Sequence, residues 1–276
     1  MAGRTVSIPS KVKRVVGLGA GALRLLVYLE ATDLVVGVET IEHTSNNTRP
    51  YNIAHPGLLD LPSIGPMHGG DPELITAQTP DVIFWTYAQT GDANDLQSKT
   101  GIPVIVLGYG SLEAERDIFY ASLELTAIVL NKEERASSLM NYFDTMIADL
   151  DNRTKMIDDQ NRSSVYVGGV NYRGAHGLTS TRSMYAPFNF TNSLNVAANL
   201  SSDHAFIDPE QLIEWDPDII FVDQGGLSLV MQDLQNTTAF YSTLTAVQKG
   251  ELYCVLPYNF YTGNMGTILA LSLIHI

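Results

Sequence analysis

Aromatic residues follow several of the short apolar runs in this sequence, and their rings could bind a flat ligand. Tyrosine and tryptophan stack on flat or aromatic chelates, and a nearby arginine can pair with an anionic group. Open α/β sheets bind ligands at the carboxyl ends of their strands, where these residues are predicted to lie. The predicted ligand-binding residues are Trp85, Tyr87, Tyr109, Asn171, Tyr172, Arg173, Tyr258 and Tyr261. Any one of the tyrosines could equally pack against its own loop, because half-buried tyrosine is common.

Histidines could bind a metal ion, but their spacing does not predict a preformed site. The chain has no His-x-x-x-His pair or other paired spacing of the kind that zinc sites use. His68 and His176 fall in predicted loops and are the two candidates for metal ligands. A lone loop histidine is more often a polar surface residue, so we predict no metal site formed by the protein alone.

The sequence contains no motif for catalysis. There is no Gly-x-Ser-x-Gly elbow, no Gly-Lys-Ser/Thr phosphate loop and no His-Glu-x-x-His pair. Residues 17–21 (Gly-Leu-Gly-Ala-Gly) resemble part of a dinucleotide-binding loop, but position 22 is alanine, so they are interpreted as a tight strand-to-helix turn. We therefore predict a binding protein without an intrinsic cofactor. A two-lobed metalloenzyme is the distant alternative.

A fourteen-residue segment occurs twice, at 71–84 and 208–221, with seven identical positions. Each copy opens on Asp-Pro-Glu, which predicts a short helix with an aspartate cap and proline in its first turn. Each closes on Pro-Asp and a β-branched run, which predicts a turn and a strand buried on both faces. One repeat over so long a distance indicates two similar lobes, and a cleft between lobes commonly holds a ligand.

Strand-like and helical segments alternate along the sequence, which predicts an α/β fold. The fold is predicted to have two lobes, each a largely parallel sheet flanked by helices, and the two are joined by one long α-helix. The predicted division is an N-terminal lobe over 1–111, a helical segment over 112–157 and an incomplete C-terminal lobe over 158–276. The linking helix is predicted over 132–157, with Asn131 as its N-cap. Further strands are predicted at 14–18, 34–38, 81–85, 103–107, 164–168 and 252–256, and Cys254 in the last is expected in the core.

Composition limits the class of protein. A chain of 276 residues, 45% hydrophobic and 17% charged, can bury a core in each of two lobes. Thirty acidic against sixteen basic residues give a formal charge of −14. That charge argues against nucleic acid as a partner, because phosphates need a basic face. No apolar run approaches the roughly 18 residues that predict a membrane span.

Three motifs together resemble the substrate-binding proteins of ABC importers for iron-siderophores, haem and cobalamin. They are residues 3–9 (Gly-Arg-Thr-Val-Ser-Ile-Pro) ahead of the strand at 12–16, the repeated Glu…Pro-Asp-(Val/Ile)-Ile, and residues 246–253 (Ala-Val-Gln-Lys-Gly-Glu-Leu-Tyr). The resemblance is to the class whose two lobes are joined by a single long helix. It covers nearly the whole chain, and the closing helices of the family are expected to be missing after about residue 274.

The resemblance implies a monomeric, extracytoplasmic protein, periplasmic or on the cell surface and membrane-anchored through a missing N-terminal segment. It would capture an iron or cobalt chelate (iron-siderophore, haem or corrinoid) between its lobes and deliver it to a dimeric ABC permease. Glu73 and Glu210 match the family's pair of acids that meet arginines on the permease. A single early glutamate would be only a good helix start, but two at matched positions favour docking. The alternative ligand is a free metal ion or an oxyanion on the same fold.

Overall fold

The chain divides into two α/β units, Met1–Tyr142 and Phe143–Ile276. The structure is a computed structural model that describes residues 3–44, 49–110 and 112–258. Both units contain parallel strands flanked by helices, so the predicted α/β fold class is confirmed. None of the helices in these described ranges combines the length and the apolar composition needed to cross a bilayer. The finer division at residues 111 and 157 stays a prediction.

Three parallel strands form the sheet of the first unit, and all three were predicted from their β-branched runs. They are β1 (Val15–Leu18), β2 (Val82–Thr86) and β3 (Val104–Leu107), paired in that order. Every residue of β1 and β2 is buried, as expected for strands covered on both faces. The helices of this unit are α1 (Ala22–Tyr28), α2 (Pro50–Ala54), α3 (Pro72–Ala77), α4 (Thr90–Thr100) and α5 (Arg116–Leu130).

The strand predicted at 34–38 is wrong in its extent. Only single parallel bridges form there, between Val15 and Val35 and between Val38 and Ser63. The chain leaves the edge of β1 after one bridge because the N–H of Val38 donates to the carbonyl of Pro62 instead, at 3.0 Å. Val35 and Val38 thus pair with two different segments of the chain, and residues 34–38 cannot form a continuous ladder of hydrogen bonds with β1.

The division between the units falls inside one long helix, α6 (Glu133–Thr154), as the predicted linking helix requires. Ala136, Phe143 and Leu150 are buried at seven-residue spacing and form its apolar stripe. The predicted cap is wrong, because Asn131 ends α5 instead. It has a left-handed backbone (φ 54°), a conformation that asparagine tolerates better than most residues at helix ends.

Four parallel strands form the main sheet of the second unit within the described residues, in the order β6-β4-β8-β9. A separate antiparallel pair joins β5 to β7, and neither of those short strands was predicted. The strands are β4 (Ser164–Gly168), β5 (Ser180–Arg182), β6 (Leu194–Asn195), β7 (His204–Phe206), β8 (Ile219–Asp223) and β9 (Leu252–Val255). The helices are α7 (Ala186–Phe190), α8 (Pro209–Trp215), α9 (Leu227–Asn236), α10 (Thr238–Tyr241) and α11 (Thr245–Lys249).

Cys254 is exposed, so its prediction as a core residue is wrong. It lies on β9, which pairs only with β8 among the described strands. Of the four residues of β9, only Val255 is buried. An apolar run in an edge strand need not be covered on both faces, whereas the same run in a central strand would be.

Both repeats fold as predicted, as a short helix followed by a buried strand: α3 with β2, and α8 with β8. Their caps differ. The carboxylate of Asp71 accepts hydrogen bonds from the backbone N–H groups of Glu73 (2.9 Å) and Leu74 (3.0 Å). The side chain of Asp208, at the matching position, makes no capping bond.

Replacing Asp71 by alanine should therefore destabilise the protein more than the same change at Asp208. Loss of an aspartate N-cap costs about 1 kcal/mol when the side chain makes its bonds, and little when it does not. Urea unfolding of the two single variants beside the wild type measures the difference. Equal losses would show that the hydrogen bonds of the Asp71 carboxylate carry no stability.

Candidate functional site

The carboxyl edge of the first sheet carries two of the predicted tyrosines. Tyr87 directly follows β2, is exposed over 44% of its surface and accepts a hydrogen bond from the N–H of Gly110 at 3.2 Å. Tyr109 follows β3, is buried, and meets the Tyr87 ring edge-on at 6.5 Å. Trp85 lies in the buried core of the sheet with Val16, Leu18 and other apolar side chains. The structure thus brings the two tyrosines together, and Tyr87 is the one that solvent reaches.

A buried arginine lies under this tyrosine pair and was not found from the sequence. The guanidinium carbon of Arg24, on α1, is 4.4 Å from the centre of the Tyr109 ring. Arg24 is only 1% exposed. Burial lowers the pKa of its guanidinium, and Tyr28, Tyr51 and Tyr87 oppose that shift. Within the described residues, none of its three guanidinium nitrogens has a hydrogen-bond partner.

The glycine-rich turn before α1 makes room for this arrangement. Gly21 has a positive φ of 86°, and a Cβ there would lie 2.5 Å from two ring carbons of Tyr109. A Cβ on Gly19 would lie 2.8 Å from the carbonyl oxygen of Thr86. Both glycines are thus required by close packing, which supports the interpretation of residues 17–21 as a tight turn.

A buried carboxylate, Glu39, lies beside the same turn. Its Oε1 atom accepts hydrogen bonds from the N–H groups of Gly19 (3.1 Å) and His68 (2.8 Å). Burial raises its pKa to about 7, although those hydrogen bonds favour the charged form. His68 therefore contributes its backbone N–H here, and its role as a metal ligand stays a prediction.

Aromatic and histidine rings gather in the second unit on the loop after β4 and on β7. Tyr172 stacks on His204, with ring centres 4.1 Å apart and planes within 10°. Phe206 meets His204 at 4.9 Å and His176 at 4.7 Å. His204 and Phe206 share one face of β7, because side chains alternate along a strand. We call Tyr172, Arg173, His176, His204 and Phe206 the histidine–aromatic cluster.

Solvent reaches the cluster, and it carries a positive charge. Tyr172 is 43% exposed and Phe206 57% exposed. The guanidinium carbon of Arg173 is 5.4 Å from the centre of the Tyr172 ring. His204 is held by a contact of 2.9 Å between its Nε2 atom and the hydroxyl of Ser180. Burial and the nearby Arg182 lower the pKa of His204, so the neutral ring is favoured.

The remaining predicted residues of this unit lie near the end of β8. Asp223 is buried, and its carboxylate accepts hydrogen bonds from the N–H groups of Gly225 (2.7 Å) and Tyr258 (2.8 Å). Burial raises its pKa to about 6. The Tyr258 ring lies 5.0 Å from the guanidinium carbon of Arg182. Asn171 lies close against Gly225. Tyr261 lies outside the described residues.

Neither histidine candidate belongs to a group of three metal-ligating side chains in the part of the chain that the structure describes. The rings of His176 and His204 are 6.5 Å apart, and the Nε2 atom of His176 contacts the carbonyl of Tyr172 at 2.7 Å. The two predicted docking acids, Glu73 and Glu210, are both exposed and lie in the first turns of α3 and α8.

The sequence matches a known family over most of its length. Residues 15–257 match the family described as periplasmic binding protein. The molybdate-binding protein MolA of Haemophilus influenzae is 24% identical over 249 residues, which cover 84% of this chain and 70% of that protein.

Solved structures show the same fold at low identity. MolA bound to molybdate aligns with a TM-score of 0.75 and 21% identity, covering 99% of this chain and 87% of the other. The haem-binding protein HutB of Vibrio cholerae gives 0.70 and 16%, covering 95% and 97%. The petrobactin-binding protein YclQ of Bacillus subtilis gives 0.72 and 18%, covering 98% and 94%.

Glu39 makes stability depend on pH. Its folded pKa of about 7 lies above the ordinary value of 4.5, so the folded state binds the proton more tightly than the unfolded state. Its contribution to stability is complete below pH 4.5 and is lost as pH rises through about 7. Across this window the loss is on the order of 3 kcal/mol.

Glu39→Gln should remove that dependence, because the amide stays neutral and its oxygen can still accept the two backbone hydrogen bonds. Urea unfolding at several pH values between 4.5 and 8, with wild type and variant side by side, measures the change. Parallel curves for the two proteins would show that folding does not raise the pKa of Glu39.

Proposed function

The chain belongs to the periplasmic binding protein family, and from this membership we propose that it captures a metal chelate for an ABC importer. Proteins of this family are substrate-binding transport proteins and not enzymes, so the prediction of a non-catalytic protein is confirmed. The family also implies an extracytoplasmic location and a membrane permease as partner. The class of ligand and the docking residues are the parts that we propose.

The histidine–aromatic cluster is the observation that favours a flat chelate. Two exposed rings, Tyr172 and Phe206, offer apolar surface that a flat ligand would cover. Three residues of the cluster, Tyr172, Arg173 and His176, follow β4 at its carboxyl end, where α/β sheets bind ligands. Arg173 can pair with an acidic group on the chelate. Iron-siderophores and haem combine flat or aromatic surface with such groups, and haem- and petrobactin-binding proteins share this fold.

An oxyanion is the second candidate ligand, and two observations favour it. MolA, a protein named for molybdate binding, is 24% identical over 84% of this chain. The buried guanidinium of Arg24 also suits a compact anion better than a neutral ring system. Thermal unfolding distinguishes the two candidate ligands, because a ligand that binds only the folded state raises the melting temperature of the purified protein.

Glu73 and Glu210 are proposed as the two contacts to the permease. Each carboxylate is exposed in the first turn of a repeat helix, where the helix dipole favours negative charge. Equivalent positions in the two repeats suit a partner built from two similar halves. Exposed acids of this kind contribute mainly to the rate and specificity of association.

Removing one ring of the cluster should weaken chelate binding without unfolding the protein. Tyr172→Ala and His204→Ala should each lower the affinity about fivefold, because a stacked aromatic contributes on the order of 1 kcal/mol beyond its burial. Tyr253→Ala is the matched control, since Tyr253 is 46% exposed on β9, outside the cluster. Fluorescence titration with haem, a ferric siderophore and cyanocobalamin measures the affinities.

Melting temperatures of the same three variants show whether the fold is retained. Unchanged chelate affinity in both cluster variants would remove the cluster from the binding site. Stabilisation of the wild type by molybdate, with no response to any chelate, would support the second candidate ligand instead.

Replacing Glu73 or Glu210 should weaken binding to the cognate permease while ligand affinity stays intact. Charge reversal to lysine should be more harmful than alanine, because it places like charges together at the interface. Glu134→Lys is the control, since Glu134 is also exposed in the first turn of a helix but lies outside the repeats.

Binding to the permease in lipid nanodiscs, at low and high salt, measures these effects. They should shrink at high salt, as expected for exposed charge pairs. Equal binding by the Glu73→Lys/Glu210→Lys double variant and the wild type would reduce both acids to favourable helix starts.

A further inference from the structure

Arg24 is a fully buried cation without a conventional partner. It is 1% exposed, and Nε, Nη1 and Nη2 all lack a hydrogen-bond partner within the described ranges. Moving an unpaired charge out of water is costly, and an arginine cannot escape the cost by giving up its proton. Its contact with the Tyr109 ring offsets part of the cost, but none of its guanidinium nitrogens has a hydrogen-bond acceptor among the described residues.

The acids near this region are already engaged with other groups. Glu39 accepts hydrogen bonds from the backbone of Gly19 and His68. Glu42 forms an ion pair with Arg49 at 3.2 Å and accepts hydrogen bonds from Tyr51 and Asn52.

Two other partly buried arginines among the described residues each have an acid as partner. Arg49 pairs with Glu42, and Arg182 pairs with Asp203 at 2.8 Å. Among the ion pairs of the described residues, none includes Arg24. Arg24 therefore lacks the carboxylate partner that Arg49 and Arg182 have.

The position of Arg24 in the sheet suits a ligand contact. It lies on α1, directly after the turn that ends β1, while Tyr87 and Tyr109 follow the neighbouring strands β2 and β3. These three side chains therefore share the carboxyl edge of one parallel sheet, where open α/β folds bind ligands. Tyr87 is the exposed member of the group, and its ring meets that of Tyr109, which lies over the guanidinium.

We propose that Arg24 binds an anionic oxygen group of the transported ligand, with its planar N–H groups directed at two oxygens. This inference rests on the proposed function, because it assigns one contact of the same binding protein. The chemistry is shared by a tetrahedral oxyanion and by the carboxylate or catecholate oxygens of a chelate. In either case the ligand supplies the negative charge that the protein does not.

Calorimetric titration of the whole chain tests the contact directly. The probes are molybdate, sulfate, the iron(III) complex of 2,3-dihydroxybenzoate, and cyanocobalamin as a chelate without net charge. The variants are Arg24→Met, which removes the charge, and Arg24→Lys, which keeps the charge but not the planar fork. Arg14→Met is the control, because Arg14 is exposed before β1 and its side chain donates to the carbonyls of Gln78 and Thr79.

The wild type should bind at least one anionic probe, and Arg24→Met should weaken that binding about 100-fold. Arg24→Lys should weaken it about tenfold, since a point charge replaces the bidentate fork. Arg14→Met should bind as the wild type does, and any affinity for cyanocobalamin should be the same in all four proteins. Molybdate or the iron complex, whichever responds to Arg24, identifies the source of the anionic oxygens.

Two results would overturn the proposal. One is equal affinity of the wild type and the Arg24 variants for an anionic probe, with a lower melting temperature in the variants, which would make Arg24 a structural partner of Tyr109. The other is a wild type that binds none of the anionic probes. If Arg24→Met does not fold, Arg24→Lys provides the same comparison. Failure of the chelate proposal is distinguishable, because it is measured in Tyr172→Ala and His204→Ala, which leave Arg24 intact.

Discussion

One interaction, made once in each unit, aligns two neighbouring strands at whose carboxyl ends candidate ligand contacts lie. The aspartate of each Pro-Asp turn holds the start of the neighbouring strand. In the first unit, Asp81 accepts hydrogen bonds from the N–H groups of Lys13 and Arg14, at 2.7 and 2.9 Å. In the second, Asp218 accepts them from the N–H and hydroxyl of Ser164, at 2.9 and 2.8 Å, and these bonds lower its pKa.

Because strand pairing is periodic, an alignment made at the amino end sets the carboxyl end too. Asp81 places Val15 opposite Val82, and three residues later Leu18 lies opposite Trp85, at the edge that carries Tyr87 and Arg24. The register of β4 with β8 brings Gly168 opposite Val222 in the same way, next to Asp223. The repeated Pro-Asp is thus a structural device that determines where the binding loops begin.

The sequence predicted the parts of the fold that local patterns determine. The repeats, the central strands and the long helix follow from caps, prolines and apolar periodicity. The errors arise where a distant segment decides. The strand at 34–38 is interrupted by the pairing of Val38 with residues 62–64, and Cys254 is exposed because β9 is an edge strand in the described sheet. Asn131 was interpreted as a start and is an end, since asparagine suits both positions.

The candidate site was harder to predict because its key contacts are long-range. The sequence predicted one loop that contains Tyr172, Arg173 and His176. It did not predict that Tyr172 stacks on His204, because that contact joins distant residues through β5 and β7, two short strands without a clear sequence pattern. Arg24 resembles an ordinary solvated residue in an otherwise apolar helix. Only its burial under Tyr109 distinguishes it. An acidic chain with a formal charge of −14 that binds an anion must concentrate positive charge locally. Each unit has an arginine after a strand end, Arg24 in the first and Arg173 in the second. Each unit also contains a buried acid of raised pKa, Glu39 in the first and Asp223 in the second. Protonation of that acid would reduce the negative charge of its unit.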